Sequence, residues 1–151
     1  MSLALTFHIL AAVIWIGGMF FAHVVLRPSA GILDLPTRLT LWARVLERFF
    51  GWVWLSITAL LLSGFAMVFI GYGGFAILPP NISLMMAVGV LMAAIFTYIY
   101  FVPWQGLRRG VAAADWPGAE QSIKKIRQLV GLNLLLGLAT VVLAGAGAFL
   151  S

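Results

Sequence analysis

Four long apolar segments alternate with shorter polar segments along this 151-residue chain. Each apolar segment is long enough to cross a hydrocarbon core of about 30 Å as an α-helix, which rises about 1.5 Å per residue. The pattern therefore predicts an all-α integral membrane protein, a bundle of four transmembrane helices that forms a single domain over residues 1–151. The predicted spans cover about residues 3–26, 49–71, 82–102 and 128–150.

Capping and breaking residues indicate where these helices begin and end. Asp34 is a suitable N-cap and Pro36 fits a first turn, so the second helix is predicted to begin well before its apolar part. Asn81 is the predicted cap of the third span. Because proline lacks a backbone donor and clashes with the preceding turn, the first span is predicted to end at Arg27-Pro28 and the third near Pro103.

The positive charges of the chain are confined to two of its polar segments. All nine Lys and Arg residues lie there: Arg27, Arg38, Arg44 and Arg48 in the first, and Arg108, Arg109, Lys124, Lys125 and Arg127 in the second. Short cytoplasmic loops collect Lys and Arg, so both segments are expected to face the cytoplasm. The predicted topology is therefore N-out/C-out.

Composition excludes an ordinary soluble domain. Hydrophobic residues make up 64% of the chain and charged residues 9%, and the mean hydropathy is +1.12. The basic residues, which give the chain a net charge of +5, lie beside the membrane spans. The expected partners are therefore anionic lipid headgroups and not nucleic acid. There is no cysteine, which excludes disulfides and thiolate ligands.

Two histidines are the candidate ligands within the spans, and both lie in the first span. His8 and His23 are fifteen residues apart, about 22 Å along a helix, so they cannot share one metal ion. The predicted orientation places His8 near the outer face of the membrane, here called the outer level. An ionisable group within a span has a high free-energy cost, and this favours a role for His8 as a ligand. The Gly17-Gly18 pair between them is expected to be a close-packing point and not a ligand loop.

Three methionines are predicted to share the outer level with His8. Met67 lies near the outer end of the second span, and Met85 and Met86 lie near the outer start of the third, all about 5–8 Å below the surface. Imidazole and thioether donors suit Cu(I), or a haem iron with His/Met axial ligands. Ordinary helix packing is the alternative role for each methionine.

A second group of polar side chains is predicted at the inner level. Its members are His23, Tyr98, Tyr100, Arg127 and Asn133. The expected role of Asn133 is an interhelical hydrogen bond. No Asp or Glu lies within the predicted spans, so proton relay through membrane carboxylates is disfavoured.

Two segments of the chain resemble a known membrane family. The stretch His8–Met19, His-Ile-Leu-Ala-Ala-Val-Ile-Trp-Ile-Gly-Gly-Met, resembles the first helix of the copper-resistance protein D (CopD) family. Arg127 followed by Gly131–Gly137 is similar to the last helix of that family. The resemblance implies a protein that moves or handles copper across the inner membrane, with a periplasmic copper carrier or a larger membrane complex as partner.

The family is also similar to the HemJ-like protoporphyrinogen oxidases, four-helix proteins that bind haem b through a first-helix histidine. Those proteins are expected to carry a basic residue in the third helix, and the span over residues 82–102 has none. This departure speaks against the oxidase activity while leaving haem binding open. Three roles remain: copper handling, a b-type haem protein, or a structural subunit. An enzyme is the less expected outcome, and homo-oligomerisation stays open.

The charge pattern generates a prediction about topology. Residues 28–48 and 104–127 should be cytoplasmic, and Met1, residues 72–80 and Ser151 should be periplasmic. We expect alkaline phosphatase fused after Ser151 to be active and green fluorescent protein fused there to be dark. Activity of cytoplasm-dependent reporters alone at this site would contradict the predicted orientation.

Overall fold

The computed structural model describes residues 1–150, with the side chains of residues 1–148, so the expected outer terminus Ser151 lies outside it. Over this range the chain is helical and contains no strand. Its α-helices are α1 (Ser2–Phe20), α2 (Arg27–Ser29), α3 (Leu35–Gly71), α4 (Pro80–Phe101), α5 (Pro103–Ala112) and α6 (Trp116–Leu150). Four continuous helical segments are long and apolar enough to cross a membrane. The predicted fold class, an all-α protein with four membrane-spanning helices, is confirmed.

The first membrane-spanning segment continues past the proline that was predicted to end it. α1 passes into a π-helix over Phe21–Leu26, then into α2 and a 3₁₀ turn at Ala30–Ile32. The Arg27 N–H donates to the carbonyl of Ala22, five residues back. This wider turn directly precedes Pro28, which lies in the first turn of α2, where a missing N–H is tolerated. The predicted stop at Arg27-Pro28 is therefore wrong.

The early start of the second long helix is confirmed. The Thr37 N–H donates to Asp34 Oδ2 over 3.4 Å, and Pro36 lies in the first turn. Hydrogen bonding by Thr37, through its side chain first and then its backbone, holds the pKa of the Asp34 carboxyl below its usual range. α3 has 37 residues, a length of about 55 Å, so it extends about 25 Å beyond a hydrocarbon core.

The connection between α3 and α4 is a glycine turn. Gly73 and Gly74 have φ angles of +70° and +125°, values that side chains other than glycine rarely adopt. α4 then begins at Pro80, and Pro79 occupies the N-cap without a side-chain hydrogen bond. The prediction that Asn81 caps this helix is wrong, because the Pro79-Pro80 pair starts the helix before it. The side-chain amide of Asn81 lies against α6, where a Cβ added to Gly147 would be 2.9 Å from Asn81 Nδ2.

The four long helical segments form two closely packed pairs. α1 packs chiefly against α3, and α4 packs chiefly against α6, while contacts between α1 and α6 join the pairs. The Met1 side chain lies close to Gly71, and Asn81 lies close to Gly147. Both ends of the described chain therefore lie with the α3–α4 connection at one end of the bundle, here called the outer end. The opposite end, which carries all nine Lys and Arg residues, is called the basic end.

Glycines allow the helices to approach one another within the bundle. A Cβ added to Gly18 would be 2.6 Å from the Phe49 ring, so no larger residue fits there without movement. A Cβ added to Gly137 would be 3.0 Å from Ile16 and 3.2 Å from Met92. Gly17 has nothing within 4 Å of such a Cβ. Close packing at the Gly17-Gly18 pair is therefore confirmed for Gly18 alone.

The best-packed part of the molecule is the basic end. There α4 breaks at Val102, and the amphipathic α5 follows at once and packs against α6 and α3. The least exposed apolar side chains of this region are Leu39, Leu107, Ala119, Ile123 and Ile126. In contrast, many large apolar side chains of α1 and of the outer half of α6 are exposed. Such surfaces are expected where helices face lipid.

The contact between α5 and α6 predicts that Gly110→Ala destabilises the protein. An added Cβ would be 2.9 Å from the backbone nitrogen of Ala119, which cannot move without shifting α6. We expect a loss of about 1–3 kcal/mol, measured by thermal unfolding followed by circular dichroism in detergent micelles. Gly51→Ala is the control, since nothing lies within 4 Å of its added Cβ. Equal unfolding temperatures of the two variants would contradict the tight contact.

Candidate functional site

His8 faces α3 in the outer half of the bundle. Its Nδ1 atom is 2.9 Å from the hydroxyl of Ser63. A Cβ added to Gly64 would be 3.5 Å from its Cε1 atom, so the imidazole is in van der Waals contact with the backbone of α3. The histidine is half-buried. The pairing of α1 with α3 thus holds the ring between two helices.

The hydrogen bonds of Ser63 are compatible with a neutral His8 ring that is protonated on Nδ1. The Ser63 hydroxyl donates to the carbonyl of Ala59 at 2.5 Å, with the carbonyl of Leu60 at 3.3 Å. When the single hydroxyl hydrogen of Ser63 is directed to the Ala59 carbonyl, Ser63 Oγ accepts from His8. In this arrangement Nδ1 is the protonated nitrogen, and the Nε2 atom of the neutral ring keeps its lone pair. A neutral imidazole with one free nitrogen is the form that binds metals.

Ser63 was not assigned to the site by sequence analysis. The signal was a hydroxyl group inside an apolar span, at a depth similar to that of His8. A serine in that position can also bond back to its own helix, as Ser63 does here. Only the rotation of α3 relative to α1 shows that the same oxygen accepts from the histidine.

The predicted methionines lie on two different helices. Met67 is half-buried on α3, one turn beyond Ser63 and on the same face, about 6 Å nearer the outer end. Met85 and Met86 are half-buried in the second turn of α4, a helix that packs chiefly against α6. The described residues contain no group of three or more His, Cys, Asp or Glu side chains that are close enough together to hold a metal ion.

The structure brings two of the predicted inner residues together. His23 and Arg127 line one pocket at the basic end, with Arg27 and Trp42. The His23 ring lies against α6, where a Cβ added to Gly131 would be 3.2 Å from Cε1. His23 therefore lies against a glycine backbone, as His8 does.

The other three predicted inner residues lie elsewhere. Asn133 is 1% exposed, and its Nδ2 donates to the carbonyl of Met92 on α4 over 3.1 Å, so its predicted interhelical bond is confirmed. It lines a neighbouring cavity of about 20 Å³ with mainly aromatic and aliphatic walls. Tyr100 belongs to an aromatic cluster, with its ring centroid 5.4 Å from that of Trp54. Tyr98 is exposed.

Comparison with protein families identifies one match. The family model described as Copper resistance protein D matches residues 43–146. This range contains Ser63 and Met67 on α3 and all of α4 and α5, whereas His8 on α1 precedes it. A search of curated proteins and a search of solved structures each found no match. Because the family match covers more than half of the chain, we conclude that the protein is a multi-pass membrane protein of the copper resistance protein D family.

Proposed function

We propose that this protein handles Cu(I) at the outer end of the bundle, in the inner membrane of a bacterium. The proposal assigns His8 as the first ligand and Met67 as the second. Its main support is the hydrogen bond between His8 Nδ1 and Ser63, because a ring that donates through Nδ1 has its Nε2 lone pair available to a metal ion. Membership in a copper-resistance family supports copper as the ion that is carried. A periplasmic copper carrier is the partner expected to deliver or receive it.

The chemistry of the side chains favours Cu(I) over harder cations. Neutral imidazole and thioether sulfur are soft donors that suit Cu(I), whereas Mg²⁺ and Ca²⁺ prefer carboxylate and carbonyl oxygens. Neither His8 nor Met67 brings a negative charge into the membrane, and Cu(I) itself carries only one positive charge. A site of these two donors therefore brings less charge into a region of low dielectric constant than a carboxylate site for a divalent cation would.

Ser63 has a supporting role in this proposal. Metal-binding histidines usually donate their other ring N–H to an oxygen, which orients the ring and raises the basicity of the ligand nitrogen. Ser63 provides that oxygen on a neighbouring helix. When its hydroxyl hydrogen is directed to the Ala59 carbonyl, Ser63 favours the tautomer of His8 that is protonated on Nδ1.

The three methionines have unequal positions in the proposed site. Met67 shares a helix face with Ser63, one turn away, and so lies on the helix that contacts His8. Met85 and Met86 lie on α4, whose main contacts are with α6. We assign the larger role to Met67 and treat Met85 and Met86 as supplementary thioether donors along the path of the ion.

The first prediction from this proposal concerns His8 and Ser63. We expect His8→Ala to abolish Cu(I) binding and Ser63→Ala to weaken it by about 10–100-fold, the usual effect of removing a partner of a ligand. The measurement is competition with a colorimetric Cu(I) chelator under anaerobic conditions. His23→Ala and Ser56→Ala are the matched controls and should bind as the parent does, because His23 is at the basic end and Ser56 is a second buried serine of α3.

Two results would contradict the proposed site. Unchanged Cu(I) affinity in His8→Ala would remove the histidine from the site. An intense Soret band in the optical spectrum of the purified protein would instead identify haem b, for which the free Nε2 of His8 would serve as an axial ligand. Cu(I) has a filled d shell and gives no such band.

The second prediction separates metal binding from packing at Met67. Met67→Leu preserves the apolar character and most of the volume but removes the sulfur, so its effect on unfolding should stay below about 1.5 kcal/mol. We expect its Cu(I) affinity to fall at least about tenfold, and that of Met85→Leu and Met86→Leu to fall less. Met19→Leu, at a buried methionine of α1, is the control. Parent-like affinity in all of these variants would identify the methionines as packing residues.

A further inference from the structure

The pocket at the basic end is lined by hydrogen-bond donors and apolar groups. Its polar lining comes from His23, Arg27, Trp42 and Arg127, and its volume is about 30 Å³. Trp42 is 4% exposed, whereas Arg27 is exposed at the side of the pocket. The π-helix over Phe21–Leu26, α2, α3 and α6 each provide part of this lining. The pocket is therefore built by the tertiary fold and not by one local segment.

Two buried donors in this pocket have no partner in the described structure. Trp42 Nε1 and Arg127 Nε are both inaccessible and make no hydrogen bond there. Indole and guanidinium nitrogens can only donate, so both groups require an acceptor. A buried donor without an acceptor is destabilising, and more so when it is charged. The pair therefore indicates a missing acceptor between α3 and α6.

No carboxylate of the described residues supplies that acceptor. The lining contains neither Asp nor Glu. Glu120 is the acid whose charge acts on Arg127, but its carboxylate pairs with Lys124 at 3.8 Å, in the one ion pair of the described residues. The Arg127 guanidinium is held 6.0 Å from the centroid of the Trp42 ring, in a cation–π contact. The lining of the pocket therefore carries positive charge without an acidic residue beside it.

We propose that this pocket binds the phosphate group of an anionic membrane lipid. A volume of about 30 Å³ accepts roughly two water-sized atoms, which suits two phosphate oxygens while the rest of the lipid stays outside. Guanidinium groups bind phosphate oxygens through paired N–H donors. The π-helical residues that flank His23, namely Phe21, Val24 and Val25, expose apolar side chains along which an acyl chain can lie.

This site is separate from the proposed copper site. His23 and His8 are fifteen residues apart on one helical segment, about 22 Å along its axis, and they face different helices. None of the residues that line the pocket belongs to the outer group of His8, Ser63 and the methionines. Lipid binding in this pocket is therefore independent of copper binding at the outer end.

The test is lipid binding by the full-length protein in dodecyl maltoside micelles. We would titrate phosphatidylglycerol and measure bound lipid by native mass spectrometry, with phosphatidylcholine as the zwitterionic comparison. We expect Arg127→Gln to weaken phosphatidylglycerol binding at least about tenfold, since a hydrogen-bonded charge is removed. Arg109→Gln removes one exposed positive charge from the same end of the bundle and should change the affinity less than about twofold.

Trp42→Phe provides a second variant that keeps the aromatic ring and removes only the indole N–H. We expect it to weaken phosphatidylglycerol binding about threefold to tenfold, as for loss of one hydrogen bond to a charged group. This variant retains the packing of a buried aromatic residue, so it tests the pocket even if Arg127→Gln does not fold.

Three outcomes would overturn the proposal. Equal weakening by Arg127→Gln and Arg109→Gln would show diffuse attraction to a basic surface. Parent-like binding in Trp42→Phe and Arg127→Gln would show that the pocket is not the lipid site. The third outcome is that millimolar inorganic phosphate displaces phosphatidylglycerol from the parent protein and that Arg127→Gln no longer shows this displacement. That result would assign the pocket to a soluble anion.

Discussion

Apolar side chains gain little by leaving lipid for a neighbouring helix, so the spans of this protein must associate through close van der Waals contact and a few polar bonds. The glycines supply that contact. Gly18 lies under the ring of Phe49, and Gly137 lies against side chains of two other helices. Both histidines also pack against glycines, because His8 lies on Gly64 and His23 lies on Gly131. The positions of the candidate ligands therefore depend on the contacts that hold the bundle together.

The two ends of the molecule differ in how they are stabilised. At the basic end, α5 closes over α3 and α6 and buries a core of the kind found in soluble proteins, with Leu39 and Leu107 fully enclosed. At the outer end the helices are less enclosed, and the His8–Ser63 hydrogen bond is a polar link between α1 and α3. A well-packed basic end leaves the outer end free to be less tightly closed, which is compatible with the exchange of Cu(I) that we propose there.

Much of the fold could be predicted because long apolar segments admit few structures in lipid. The Asp34 cap was equally predictable, since it is a local interaction. The predictions for Pro28 and Asn81 failed because a π-helical turn and a pair of prolines changed the local backbone. At the candidate site, the cost of a histidine within a span pointed to His8. Its partner Ser63 depends on the rotation of one helix against another, which hydrophobic patterning does not determine.

The uninterrupted length of α3 has a mechanical consequence. Ser63 and Trp42 lie on this one helix, about 32 Å apart, so a tilt imposed at one position is carried to the other as a rigid-body movement. In the first membrane-spanning segment, the π-helix over Phe21–Leu26 lies between His8 and the end of the segment, and such turns are where helices bend. A displacement of His8, such as the proposed binding of Cu(I) would impose, would be absorbed by bending at this π-helix. The same displacement applied to α3 would be transmitted along this uninterrupted helix to the basic end of the bundle.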